Sequence, residues 1–210
     1  MPLIALVGNK GGAGKTTLTV NVASGLARQS SAVIVDADPQ GSSLQWRAFS
    51  SNEDTIPVIA ATEQLESQAK QLLDEYQYVV IDCPPSVHAE QTKTVLGFTD
   101  IALVPVQPSP VDLWATVHIE EAVNTAKNTN TNLNAVLVIN QLEPRTTLSK
   151  LVRDALSEIG LPVADTALRR RAIYRSSALE GKSVYDMKSR GRDAANELEQ
   201  LIQEVLNNER

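Results

Sequence analysis

The stretch Gly8-Asn9-Lys10-Gly11-Gly12-Ala13-Gly14-Lys15-Thr16-Thr17 constrains this chain more than any other. Before it lies Leu3-Ile4-Ala5-Leu6-Val7, an apolar run with the character of a buried parallel strand; after it, Leu18 to Ala27 carries apolar residues at helical spacing. Strand, glycine-rich turn and helix make the surroundings that a phosphate loop needs. The glycines let backbone N–H groups converge on phosphate oxygens, and the helix N-terminus adds partial positive charge. Gly11, Gly12, Ala13, Gly14, Lys15, Thr16 and Thr17 are therefore assigned to phosphate binding, with Lys15 as the mobile cation and the Thr16 hydroxyl as a ligand for Mg²⁺. A βα turn with no ligand is the competing reading, and Gly-Lys-Thr at this point argues against it.

The same grammar recurs down the chain. Ala32 to Val35 is a second buried strand that runs into Asp36 and Asp38, and in an open parallel sheet such strand ends line the ligand crevice. Asp38 is either a turn residue or a carboxylate facing the phosphates. Tyr78-Val79-Val80-Ile81-Asp82 has the pattern of a Walker B strand, whose terminal carboxylate holds Mg²⁺ through water. Further strands are expected at residues 57–60, 100–106 and 134–139, the last ending in Asn140, with Leu161-Pro162-Val163 as a final short strand or extended segment. Helices are expected over 42–49, 63–76, 111–125, 147–159 and 194–206. Alternating strands and helices with no repeat or low-complexity linker imply one α/β domain over 1–210, a single doubly wound, mostly parallel sheet flanked by helices.

Composition narrows the function. No apolar run approaches the roughly 20 residues of a membrane span, and the start Met1-Pro2 leaves no room for a leader, so a cytoplasmic protein is expected. The lone Cys83 excludes an internal disulfide, and a packed thiol is the better reading of it. His88 and His118 stand apart from any metal-like cluster. The net charge of −6 argues against a generally nucleic-acid-coated surface, yet Arg169, Arg170, Arg171, Arg175, Lys182, Lys188, Arg190 and Arg192 are interrupted only by Glu180 and Asp186. Three roles compete for this strip: pairing with the acidic remainder, contact with nucleotide or a partner subunit, and binding of DNA phosphates without sequence preference. The tail's apolar stripe, Leu198, Leu201, Ile202 and Val205, faces polar positions dominated by Glu197, Glu199 and Glu204, which disfavours a membrane-surface role and favours core packing.

A second lysine inside the loop sharpens the picture. Lys10-Gly11-Gly12-Ala13-Gly14-Lys15-Thr16-Thr17 resembles the deviant Walker A box of the ParA/MinD family of dimeric ATPases, although Asn9 stands where the general phosphate-loop pattern has its first glycine, which here comes one residue early at Gly8. Asp36-Ala37-Asp38-Pro39-Gln40 resembles that family's switch I, Cys83-Pro84-Pro85-Ser86 its switch II, and Leu168 to Tyr185 its C-terminal signature. Val104-Pro105-Val106-Gln107-Pro108-Ser109 with Asp112 is similar to the segment that lies at the dimer and partner face in relatives.

The resemblance implies ATP and Mg²⁺ as cofactors and a homodimer formed face to face around two nucleotides. It gives Lys15 a role in cis, Lys10 a role in trans, Asp38 the positioning of attacking water, and Asn140 the adenine edge; from the residues alone, Asn140 is equally a turn cap. It implies an ATP-bound dimer on nucleoid DNA and a weak ATPase, stimulated by a cargo-bound adaptor of McdB-like or ParB-like type. Carboxysomes or plasmids are the implied cargo. With the first strand at Leu3, no helix-turn-helix domain is expected ahead of it. Two readings of other classes stand beside this one: a metabolic ATP-dependent ligase or kinase built on a deviant phosphate loop, and a nucleotide-gated scaffold that never cleaves ATP.

Overall fold

A computed structural model describes residues 2–50 and 56–207, those at 148–150 by backbone alone; Met1, on which the expectation of a leaderless start rests, lies outside the described residues. The strands are β1 (Leu3–Leu6), β2 (Ala32–Asp36), β3 (Val58–Ala60), β4 (Tyr78–Asp82), β5 (Ile101–Val106) and β6 (Asn134–Ile139). Between and after them run α1 (Lys15–Ala27), α2 (Ser42–Phe49), α3 (Leu65–Glu75), α4 (Glu90–Leu96), α5 (Pro110–Lys127), α6 (Thr147–Ser157), α7 (Ala172–Leu179), a 3₁₀ segment (Val184–Gly191) and α8 (Arg192–Asn207). Every pairing in the six-stranded sheet is parallel, in the order β3-β2-β4-β1-β5-β6. The order reverses direction at β1, which places the turn after β1 at the crevice where ligands of such sheets bind.

Why the strands are continuous apolar runs is visible in β1. Leu3 and Ala5 pack into one core with α3, α4, α5 and α6, whereas Ile4 and Leu6 pack into a second core with α1 and α8. Burial on both faces leaves no position for polar alternation. The tail stripe behaves as expected, since Leu198, Leu201, Ile202 and Val205 are all buried in the second core. Among the described residues no helix is long and apolar enough to cross a membrane.

Three details differ from the expectations. Helix α1 begins at Lys15 rather than Leu18, because Gly14, at φ 95°, turns the chain directly into it. The expected final strand is reduced to one bridge between Val163 and Leu137; Pro162 accepts from Leu137 N–H but has no N–H to return, so the ladder cannot extend. Helix α4, too short for helical periodicity to register, covers a stretch with no sequence expectation.

Candidate functional site

The loop between β1 and α1 is held from the two strands on one side of β1. At the ends of β5 and β6, Gln107 Nε2 donates to the Gly12 carbonyl at 2.6 Å, Gln141 Nε2 donates to the same oxygen at 3.4 Å, and Asn140 Nδ2 donates to the Ala13 carbonyl at 2.8 Å. Gly14 is required twice over, by its positive φ and because a Cβ there would stand 2.5 Å from Asn140 Nδ2. These bonds engage the carbonyls of Gly12 and Ala13 and leave their N–H groups uncommitted to the three amides.

Lys15 is 7% exposed, and its ammonium donates to the Lys10 carbonyl at 3.2 Å. Burial lowers its pKa, while the negative charges of Asp82 and Asp38 act in the opposite direction. Asp82, at the end of β4 and 1% exposed, accepts from Ser43 Oγ at 2.7 Å and from Thr19 Oγ1 at 3.1 Å. Desolvation pushes its carboxyl up to about 6, against the hydrogen bonds from Ser43 and Thr16 that favour the charged form. A buried carboxylate in hydrogen-bond reach of the Thr16 hydroxyl, with no ion pair among the described residues, is a donor set that fits Mg²⁺.

Asp38 is half-buried on the turn after β2, where its Oδ1 accepts from Gln40 N–H at 3.0 Å and its carbonyl accepts from Gly41 N–H at 2.8 Å. It is thus a turn residue, yet near enough to Lys15 to act on it electrostatically. Asp36, named in the sequence as a strand-end acid but given no separate role, fixes that turn: its two oxygens accept from Asp38 N–H at 3.2 Å and from Leu44 N–H at 2.9 Å in the first turn of α2. Burial raises the Asp36 pKa.

The Lys10 ammonium is paired with α5, where it meets Asp112 Oδ2 at 3.2 Å, with the lysine side chain 44% exposed and the aspartate 5%. Asp112 sits in the first turn of α5, where Ser109 caps the helix by accepting from Asp112 N–H and its hydroxyl also contacts the Asp112 carboxylate. No spacing rule connects residues 10 and 112, so sequence alone does not show this pair.

Beside the loop opens a cavity of about 220 Å³ walled by Gly14, Thr17, Asn140, Gln141, Leu168 and Tyr174. Asn140 is 8% exposed; one amide N–H goes to Ala13 and its oxygen accepts from Gln141 N–H at 2.9 Å, which leaves a second amide N–H to donate. Arg169, Arg170, Arg171 and Arg175 line the same cavity, so half of the basic strip gathers at this mouth. Arg171 is committed internally, at 2.6 Å to Glu197 and 3.1 Å to Asp193, which is the structural role the sequence left open. Arg169 reaches Glu197 at 3.6 Å and Arg170 reaches Glu143 at 2.5 Å.

The rest of the strip lies past α7. Lys182 pairs with Glu180 at 2.8 Å and Arg190 approaches it at 3.9 Å, while Lys188 and Arg192, like Arg175 at the cavity, are exposed and make no ion pair among the described residues. Lys188 is held at φ 53°, a kink at which the 3₁₀ segment turns toward α8. Cys83 is fully buried and its thiol is pushed up by desolvation, which fits packing and not reactivity. The rings of His88 and His118, separate in the sequence, meet edge to face at 6.1 Å.

A parallel sheet with a backbone-lined phosphate loop after β1 and a buried acid at the end of β4 defines a phosphate-loop nucleotide-binding protein. Residues 4–184 match the model of the CobQ/CobB/MinD/ParA nucleotide binding domain, and the chain belongs to that family. It is 39% identical over 206 residues, covering 97% of this chain and 95% of the relative, to the Maintenance of carboxysome distribution protein A of Halothiobacillus neapolitanus. It is 30% identical over 194 residues, 91% of this chain and 87% of the relative, to the protein of the same name from Gloeobacter kilaueensis. Among solved structures, the complex of a singly substituted Cyanothece McdA with ATP superimposes with a TM-score of 0.77 at 15% identity, over 99% of this chain and 96% of that one.

Proposed function

We propose that this chain is an ATP-dependent positioning ATPase that distributes carboxysomes. It binds ATP with Mg²⁺, dimerises around the nucleotide, rides non-specifically on nucleoid DNA, and is released when a cargo-bound adaptor stimulates hydrolysis. The observation that carries the reading is the 39% identity to a carboxysome distribution protein over 97% of the chain.

The site chemistry agrees with it. The N–H groups of Gly11 to Thr16 and the Lys15 ammonium take the β- and γ-phosphate oxygens. Thr16 and, through water, Asp82 would hold Mg²⁺, which when bound neutralises charge developing on the phosphates. Asp38 orients the attacking water from its turn. The second amide N–H of Asn140 is available to the adenine edge. Lys10 leaves Asp112 to reach the nucleotide of a second subunit; its exposure supports a role in trans. Of the basic strip, Arg175, Lys188, Arg190 and Arg192 are the exposed cations offered to DNA phosphates, with Lys182, Arg169 and Arg170 at the edge of that set.

The test is binding of the purified protein to a random-sequence duplex with no nucleotide, with ADP and with ATP, each with Mg²⁺ and at two salt concentrations. Binding that appears only with ATP and collapses with salt is the expected result. No binding in any state removes the DNA role and moves the assignment to a metabolic ATPase.

A further inference from the structure

The chain has two histidines among 210 residues, and the fold brings them together. His88 lies on the turn between β4 and α4, and His118 lies in the middle of α5; their rings meet at 6.1 Å between centres, with an angle of 63° between planes. A residue touches roughly ten others even when fully buried, so two histidines placed without regard to each other would meet in about one such chain in twenty. Both are exposed. The His88 ring makes no hydrogen bond or ion pair among the described residues, and His118 has only Glu121, whose Oε2 lies 3.7 Å from His118 Nδ1.

The backbones that carry these side chains are fixed. Ser86 builds the His88 turn: its Oγ accepts from His88 N–H at 3.2 Å, and its carbonyl accepts from Ala89 N–H at 3.3 Å and from Thr92 Oγ1 at 2.8 Å. His118 and Glu121 are three residues apart in α5 and so share a face of it. The surroundings favour a cation. Helix α5 carries Asp112, Glu120 and Glu121 and has no lysine or arginine before Lys127, while Lys93 of α4 is paired with Glu90 at 3.1 Å.

We infer that His88, His118 and Glu121 form a binding site for Zn²⁺. Imidazole nitrogen suits Zn²⁺ and its first-row neighbours rather than Mg²⁺, so the site differs in chemistry from the carboxylate and hydroxyl beside the phosphate loop. Two imidazoles on one tetrahedral Zn²⁺, each bonded at about 2.0–2.1 Å, have ring centres roughly 5 Å apart, and adjacent ligand atoms lie about 3.3 Å apart. Rings at 6.1 Å and an Nδ1–Oε2 pair at 3.7 Å are each within about 1 Å of that arrangement. Among the described residues no three such ligands are already gathered, so the ion closes the site by rotating exposed side chains, a fast and local motion. The fourth position is left to water. Bound metal ties the turn after β4 to α5. That turn also reaches the phosphate loop, since Val87 N–H donates to Asn9 Oδ1 at 3.4 Å.

The test is calorimetric titration of Zn²⁺ into the nucleotide-free chain, with Mg²⁺ in excess to occupy the carboxylate beside Thr16. The expected result is one Zn²⁺ per chain. His88→Ala and His118→Ala are each expected to weaken it at least about tenfold, the lower range for loss of even an outer partner of a metal ligand. The double variant is expected to be no weaker than either single one, because one imidazole alone is not the site. Amide exchange at residues 86–89 is expected to slow with Zn²⁺ in the parent and not in His118→Ala. Absence of binding overturns the inference. So does an affinity that survives in either single variant, or losses that add in the double variant, which would make the histidines two separate surface ligands.

Discussion

Replacing Asp82 with Asn tests the electrostatic account of the metal position. Burial moves this carboxyl from 3.8 to about 6, so the folded chain holds its proton more tightly than the unfolded chain does. For an acid with a raised folded-state pKa, stability is present at low pH and is lost as pH rises from the unfolded value through the folded one. At about 1.4 kcal/mol per unit, the cost of keeping Asp82 charged is about 0.5 kcal/mol at pH 4, about 1.5 at pH 5 and about 3 from pH 7 upward. Asparagine keeps the shape and can still meet the Ser43 and Thr19 hydroxyls, which rotate to suit. Without nucleotide and in EDTA, Asp82→Asn is therefore expected to unfold at higher urea than the parent, with a gap that opens between pH 4 and pH 7. Adding Mg²⁺ and ATP is expected to stabilise the parent far more than the variant. A gap of equal size at pH 4 and pH 8, or a variant less stable at pH 8, refutes the reasoning.

Asp38→Ala is expected to bind ATP as the parent does and to hydrolyse it at least about tenfold more slowly, the lower range for a positioned acid or base; a parental rate in a phosphate-release assay removes Asp38 from water positioning. Lys10→Ala is expected to lose ATP-dependent dimers in sedimentation velocity. Asp112→Asn, which frees a half-exposed ammonium from a pair worth at most about 1 kcal/mol, is expected to tighten them up to about fivefold; an unchanged dimer fraction in Lys10→Ala ends the role in trans. Arg171→Ala is expected to lower stability by about 1–3 kcal/mol in denaturant titration and leave DNA affinity alone, whereas Arg190→Ala is expected to leave stability alone and reduce the salt slope of DNA binding by about 1.

What the sequence made legible was whatever depends on neighbours along the chain. The phosphate loop, the buried strands and the acid ending β4 are local patterns, and each was found where expected. The tail stripe of α8 was legible for the same reason. What escaped depends on residues that only the fold brings together. Asp112 meets Lys10 across the gap between α5 and the loop, Ser43 reaches Asp82 from a different strand's crossover, and Glu197 claims Arg171 from the last helix. The basic strip shows the limit plainly. Its cations are contiguous in sequence, but the chain folds around α7, so one part lines the nucleotide-side cavity and another faces outward.

The belt of side-chain amides behind the phosphate loop has a consequence for how nucleotide enters and leaves. Gln107, Gln141 and Asn140 pin the carbonyls of Gly12 and Ala13 to the ends of β5 and β6. Ordering a free glycine-rich loop costs about 1–2 kcal/mol of conformational entropy per residue, and glycine loses more than any other residue. Here that cost is met during folding, so an incoming triphosphate finds a preorganised cradle and keeps more of its interaction energy as affinity. Departure of the nucleotide, by the same token, leaves the cradle standing. Exchange then requires no refolding of the loop, and under the proposed hydrolysis successive turnovers would begin from the same receptor.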